Sequence, residues 1–203
     1  MRLENVLSTE TFFRNIEGYL LLQMVYAMKL VPMELKAKMK DVKEVKRRLL
    51  LLGAQRIGSF HQTDTYFEVP QGRLKIRETE RRDNGDIIFY ERPDVPNIKK
   101  SHVLLIQVQP PETAKELLSK LFPTSTVVDK IREIFILGET RVHLDQVTQL
   151  GTFIELELPT TGETEKAEKS ESLLDDLRAK LGIKKEDLEA LSYADLLAKK
   201  APQ

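Results

Sequence analysis

Charged side chains recur at every second position in several short stretches of this 203-residue chain, and two residues is the repeat of a β-strand face. Glu34, Lys36 and Lys38 share one side of residues 33–39, with Met33, Leu35, Ala37 and Met39 on the other. Arg73, Lys75 and Arg77 alternate with Leu74 and Ile76, and Lys130 and Arg132 follow the same rule. So do Arg141, His143 and Asp145, and then Glu155 and Glu157 against Ile154, Leu156 and Leu158. These residue types suit polyanion chemistry. Arg holds phosphate oxygens in pairs and Lys acts as a point charge. Glu34, Asp145, Glu155 and Glu157 offer the hard oxygen ligands that Mg²⁺ or Mn²⁺ prefers.

Two packings accommodate the alternation. Either every charged face looks at water over an apolar core, or the apolar faces pack outward and the charged faces line a wet interior. A strand's two faces are equivalent in the pattern, so one strand cannot decide between them. Basic residues and carboxylates recurring on five strands exceed what solubility demands and favour the wet interior. Like charges gathered there repel unless water or an anion sits between them.

The elements that must position these faces can be read along the chain. Residues 33–39 read as a strand, and Asp41 with Glu44 resembles a capping box opening a helix. That helix carries Val42, Val45, Leu49 and Leu52 on one side and stops at Gly53. Its Lys43, Lys46, Arg47 and Arg48 read as a solvated face rather than a nucleic-acid patch. Strands are expected over 63–69 and 73–80, separated by Pro70-Gln71-Gly72, and over 87–91 after Asn84-Gly85, a hairpin signal. Further strands are expected at 103–108, 131–137, 141–144 and 153–158, with a helix over 112–121 opened by Pro110-Pro111. Residues 160–170 read as a polar linker, followed by a helix on Leu173, Leu174, Leu177 and Leu181 and a second on Leu188, Leu191, Leu196 and Leu197. The fold class is α+β, an antiparallel sheet or closed barrel of roughly eight strands with helices packed outside. Residues 1–30 read as an N-terminal extension, 31–160 as the barrel, and 161–203 as linker and helices of the same domain.

Composition narrows the functions. Lys plus Arg and Asp plus Glu both number 32, so the formal charge is zero. Residues 34–103 nonetheless hold 16 basic against 11 acidic side chains, a surplus of five in the strand-rich part. That places positive charge on strands, where an anionic ligand would lie, and not in a basic tail. With no Cys, thiolate metal sites, disulfides and Cys nucleophiles are excluded, and the cytoplasm is the expected compartment. No apolar run approaches the ~18 residues of a membrane span, and Gln23 interrupts the longest, 19–27. There is no phosphate loop of the Gly-x4-Gly-Lys-Ser/Thr type and no Gly-x-Ser-x-Gly, and His61, His102 and His143 lack metal-ligand spacing.

An ordered set of short runs carries a resemblance. It comprises Glu34-Leu35-Lys36, then Gln62-Thr63-Asp64-Thr65-Tyr66-Phe67, then Gly72-Arg73-Leu74-Lys75-Ile76-Arg77-Glu78. Lys130-Ile131-Arg132, Arg141-Val142-His143-Leu144-Asp145 and residues 150–157 continue it, and Ser192-Tyr193-Ala194-Asp195-Leu196-Leu197 closes it. The set resembles the CYTH family of triphosphate tunnel proteins, most closely its class IV adenylyl cyclase-like branch; the family also holds thiamine triphosphatases and inorganic triphosphatases. The resemblance implies a closed eight-stranded antiparallel tunnel acting on a small-molecule triphosphate such as ATP, thiamine triphosphate or inorganic triphosphate. It implies Lys36, Lys38, Arg73, Lys75, Arg77, Lys130, Arg132 and Arg141 as phosphate ligands. It implies Mg²⁺ or Mn²⁺ on Glu34, Glu155 and Glu157, with Asp145 nearby. A monomer or homodimer with no nucleic-acid or membrane partner is expected. Two positions depart from the family. Pro32 stands where the family strand has its first Glu. In Tyr90-Glu91-Arg92, where many members place a Lys one residue after the aromatic, Arg92 falls on the other face of the strand unless a bulge intervenes. The expected activity is therefore metal-dependent cyclisation or hydrolysis of a triphosphate, with a non-catalytic triphosphate- or polyphosphate-binding module as the alternative.

Overall fold

A computed structural model describes residues 27–159 and 164–200. Ten strands form one antiparallel sheet: β1 (Ala27–Leu30), β2 (Pro32–Lys38), β3 (Gln55–Phe67), β4 (Arg73–Thr79), β5 (Gly85–Glu91), β6 (Lys99–Lys100), β7 (His102–Val108), β8 (Thr124–Leu137), β9 (Thr140–Val147) and β10 (Gly151–Pro159). Four helices accompany it: α1 (Val42–Leu51), α2 (Pro111–Leu121), α3 (Thr164–Lys180) and α4 (Tyr193–Lys200).

The strand order is β1-β7-β5-β4-β3-β8-β9-β10-β2-β6, an open series curled into a half-barrel. The expectation of eight strands closed on themselves is corrected by this order. The extra strands arise because two segments are each interrupted at one residue, Val31 between β1 and β2 and Ser101 between β6 and β7. The interruptions lie side by side, since the Ser101 N–H donates to the Pro32 carbonyl at 2.9 Å. β1 lies within the stretch read as an N-terminal extension and pairs Ala27 with Ile106 through Leu30 with Val103. Residues 1–26 lie outside the described residues.

The apolar faces point outward. Leu35 and Ala37 of β2, Phe135 of β8, Val142 and Leu144 of β9, and Ile154 and Leu156 of β10 form one buried cluster with Val45 and Leu49 of α1 and Leu174, Leu177 and Leu181 of the α3 region. Each such side chain contributes about 1.5–3 kcal/mol by leaving water. That gain dictates which face the helices cover and turns Glu34, Lys36, Glu155 and Glu157 to the inside. A second cluster fills one end of the interior: Val128, Val147 and Phe153 with Tyr66 and Tyr90, closed by Tyr193 and Ala194 of α4.

Local chemistry places the helices. Asp41 caps α1 by accepting the Glu44 N–H at 2.9 Å, and Gly53 at φ +85 ends the helical path. The expected linker is partly helix: α3 begins at Thr164, where Glu and Lys are good helix formers, and residues 160–163 lie outside the described residues. The last expected helix is shorter than its leucine spacing implied. Leu188 forms an isolated bridge to Ala37, and α4 starts only at Tyr193. Among the described residues no helix is long and apolar enough to cross a membrane.

Candidate functional site

The inward faces enclose a cavity of about 260 Å³. Seven cationic side chains line it (Lys36, Lys75, Arg77, Arg92, Lys130, Arg132 and Arg141) with four carboxylates, Glu34, Asp64, Glu155 and Glu157. Tyr66, Tyr90, His143 and Tyr193 with Gln62, Ser101 and Ser192 complete its polar lining. Of the expected phosphate ligands, the fold thus gathers Lys36, Lys75, Arg77, Lys130, Arg132 and Arg141.

One wall, β4-β3-β8, is tightly paired. Asp64 of β3 is almost fully buried and accepts from Lys75 Nζ at 2.8 Å, Lys130 Nζ at 2.7 Å, Arg77 Nε at 2.7 Å and Arg77 Nη2 at 2.8 Å. Burial pushes its carboxyl up, but Arg77, Lys130 and Lys75 outweigh that and hold it well below the usual range. The cations bear the cost of crowding. Burial, reinforced by Arg77, brings Lys75 down to about 7, and burial brings Lys130 down to about 8. Lys75 also donates to the Tyr66 hydroxyl at 3.3 Å.

Between the walls stands Arg132 of β8. It donates to Asp145 Oδ1 and Oδ2 at 2.8 and 2.6 Å and to Glu155 Oε2 at 2.5 Å. The Tyr193 hydroxyl donates to Asp145 Oδ2 at 2.8 Å, and Lys36 Nζ lies 3.9 Å above the Tyr193 ring while pairing with Glu155 at 3.3 Å. Burial raises the Glu155 carboxyl, yet Arg132 and Lys36 hold it well below its ordinary value.

The other wall, β9-β10-β2, is loosely paired. Glu157 meets Arg141 only at 3.8 Å, and Glu34 meets Arg92 at 3.3 Å. Glu34 and Glu157 are register partners on neighbouring strands. Burial, helped by Glu155, raises the Glu34 carboxyl. Two buried nitrogens here, Arg92 Nη1 and His143 Nδ1, have no hydrogen-bond partner.

Three expected site residues lie elsewhere. Lys38 is on the charged face of β2, but the strand ends there and its side chain is 61% exposed, 3.8 Å from Glu189. Arg73 is held by Asp94 at 2.6 Å and Asp195 at 2.9 Å and is not part of the lining. Asp145 is consumed by Arg132 and Tyr193. Conversely, sequence reasoning gave no role to Asp64 or Tyr193, and it placed Arg92 on the wrong face. Strand parity could have found Asp64 and Tyr66, two residues apart on the inward side of β3. Parity also settles Arg92 without a bulge: it follows Ile88 and Tyr90 on the inward side, while Glu91 is exposed.

The donor set can be tested against Mg²⁺ or Mn²⁺. Among the described residues no three His, Asp or Glu side chains come together as a ready-made metal cage. The reason is chemical, because Asp145 and Glu155 already serve Arg132. A divalent ion that arrives with its phosphates needs only one or two protein carboxylates. Glu157, whose cation Arg141 stands 3.8 Å away, fits that smaller demand.

The CYTH domain family matches residues 32–193, a span that includes every strand from β2 onward and the start of α4. The chain belongs to the CYTH family. A Methanocaldococcus jannaschii protein provisionally named an adenylate cyclase is 28% identical over 176 residues, covering 82% of this chain and 98% of that protein. A Pyrococcus horikoshii structure superposes with a TM-score of 0.72 at 32% identity, over 83% of this chain and 99% of its own. A Hippeastrum protein, provisionally an adenylyl cyclase and described as having a dominant triphosphatase activity, shares the fold at a TM-score of 0.59 and 15% identity, over 87% of this chain and 98% of its own. Within this CYTH chain, the match takes in both the tight and the loose wall.

Proposed function

We propose that the cavity binds the phosphates of a nucleotide or other organic triphosphate and that the chain processes it. The observation that carries this reading is the convergence of five cations, the buried Lys36, Lys75, Lys130 and Arg132 and the part-buried Arg77, from three strands onto one small cavity. At about 260 Å³ the cavity suits a compact phosphate chain better than a bulky apolar body. Family membership and the M. jannaschii relative point the same way.

The cations retain donors for a ligand. An ammonium has three N–H bonds, and Lys130 spends one on Asp64. Arg77 spends Nε and Nη2 on Asp64 and keeps Nη1. These groups orient phosphate oxygens and neutralise charge as it shifts toward a leaving oxygen, which is most of what phosphoryl chemistry asks of a protein. Mg²⁺ or Mn²⁺ on Glu157 would add charge neutralisation when bound. In a cyclase the ribose hydroxyl attacks the α-phosphorus and pyrophosphate leaves. In a phosphohydrolase water attacks the terminal phosphorus and phosphate leaves. Both use the same grip.

The test is incubation with ATP, thiamine triphosphate and inorganic triphosphate, each with Mg²⁺ or Mn²⁺, following cyclic AMP, pyrophosphate and phosphate. Product from any one supports processing and names the reaction; none from all three rejects it. Pro32, which lines the cavity without a ligand atom, favours a second reading as a triphosphate-binding module. Calorimetric binding without product would select that reading.

A further inference from the structure

Arg92 is the one cation of the lining whose buried donor is left over. Its side chain is 3% exposed, and Nη1 lies 3.3 Å from Glu34 Oε1 at an angle that makes no hydrogen bond. A buried N–H without an acceptor destabilises a fold unless something supplies one. Glu34 has Glu157 as its register partner on β10 and Glu155 nearby, and it meets cations on its other sides. Lys36 lies two residues along the same face of β2, and Lys99 is the register partner of Glu34 on β6. Pro32, two residues before Glu34, also lines the cavity and offers no side-chain oxygen.

Lys99 Nζ is turned to the Val95, Glu189 and Ala190 carbonyls, but a divalent ion at Glu34 would still lie beside the Arg92 guanidinium that shares its carboxylate, and that guanidinium would repel it. A phosphate oxygen in the same place would be attracted by Arg92 and Lys36 and would satisfy Nη1, which the planar guanidinium presents in a fixed direction. Glu157 differs, because its cation Arg141 is 3.8 Å away and half exposed, free to swing aside.

We infer that Arg92 binds a phosphate oxygen of the ligand directly, in the position beside Glu34 that a metal ion could otherwise take, and that the complex holds a single divalent cation, at Glu157. This rests on the triphosphate reading above and makes it specific: Arg92, Lys36 and one metal, in place of two metals, neutralise that end of the phosphate chain.

The probe is imidotriphosphate, whose P–N–P bridges resist hydrolysis, with Mn²⁺ counted by electron paramagnetic resonance. The wild-type complex is expected to take up one Mn²⁺. With EDTA present, Arg92→Met should weaken imidotriphosphate binding at least tenfold, and Arg92→Lys should recover part of it. Pro32→Glu combined with Arg92→Met should admit a second Mn²⁺. Two Mn²⁺ in the wild-type complex would overturn the inference while leaving triphosphate binding intact, and the wild-type count holds even if a variant fails to fold. Unchanged binding by a folded Arg92→Met would also overturn it. No binding by the wild type would remove the triphosphate reading along with it.

Discussion

The two walls of the cavity are made of the same residue types and do opposite things with them. On β4-β3-β8 one carboxylate, Asp64, is contacted by three cations at 2.7–2.8 Å, the buried Lys75 and Lys130 and the part-buried Arg77. On β9-β10-β2, apart from Asp145 and Glu155 that Arg132 holds, the pairs stand at 3.3 and 3.8 Å, and two buried nitrogens, His143 Nδ1 on β9 and Arg92 Nη1 facing Glu34, find no partner. Tight pairing holds the sheet together before any ligand comes. Loose pairing leaves donors and acceptors whose best partners are still absent. Ionic residues in a cavity thus divide into those that keep it built and those that wait.

Mutating each wall should break that division or sharpen it. The largest effect is expected from Asp64→Ala, which strands these three cations and should cost about 3–5 kcal/mol in urea unfolding. A loss under about 1 kcal/mol would show that the tight wall is not structural. Glu157→Gln should leave unfolding within about 0.5 kcal/mol, because its partner is distant. The same change should lower Mn²⁺-supported turnover by roughly 100-fold, about 2.7 kcal/mol of barrier. Equal losses in stability and turnover would erase the contrast.

Next in size is a response to pH. Lys75 at about 7 and Lys130 at about 8 both lie below their ordinary 10.5, so above pH 7 the folded chain binds fewer protons than the unfolded one. Stability of the free protein should therefore rise from pH 7 toward 10, by up to about 1.4 kcal/mol per pH unit for each lysine. A polyphosphate needs both lysines charged, so its affinity should fall over the same window, with proton uptake visible in calorimetry across buffers of different ionisation enthalpy. Stability and affinity moving together would contradict the assignment. The smallest effect is a baseline outside the cavity. Asp41→Ala removes the cap of α1 and should cost about 1 kcal/mol without altering ligand affinity.

Much of this was legible in the amino-acid order, and what was missed has physical causes. Period-two alternation located β2 and β10 because an apolar face against α1 and α3 demands it, and β4 beneath α2. The direction of the charged face became clear only from several strands together. The strand count was misjudged because the breaks at Val31 and Ser101 come from pairing between residues distant in sequence, which local patterning does not carry. Lys38 shares the parity of Lys36 and still points to water, because strand ends are set by tertiary contacts. Asp64 was passed over since a lone acid in a strand is unremarkable until three cations from β4 and β8 close on it. The helical start at Thr164 was hidden by polarity; the apolar anchors Leu174 and Leu177 come two and more turns later.

The presence of Asp64, Glu34, Glu155 and Glu157 among seven cations leaves the lining with a surplus of only three positive charges. A ligand entering from solution meets the field of that surplus and not of the full seven. Its capture rate should accordingly decline with added salt much more gently than a count of lysines and arginines would imply, and the cavity can stay folded and hydrated between turnovers without a borrowed anion.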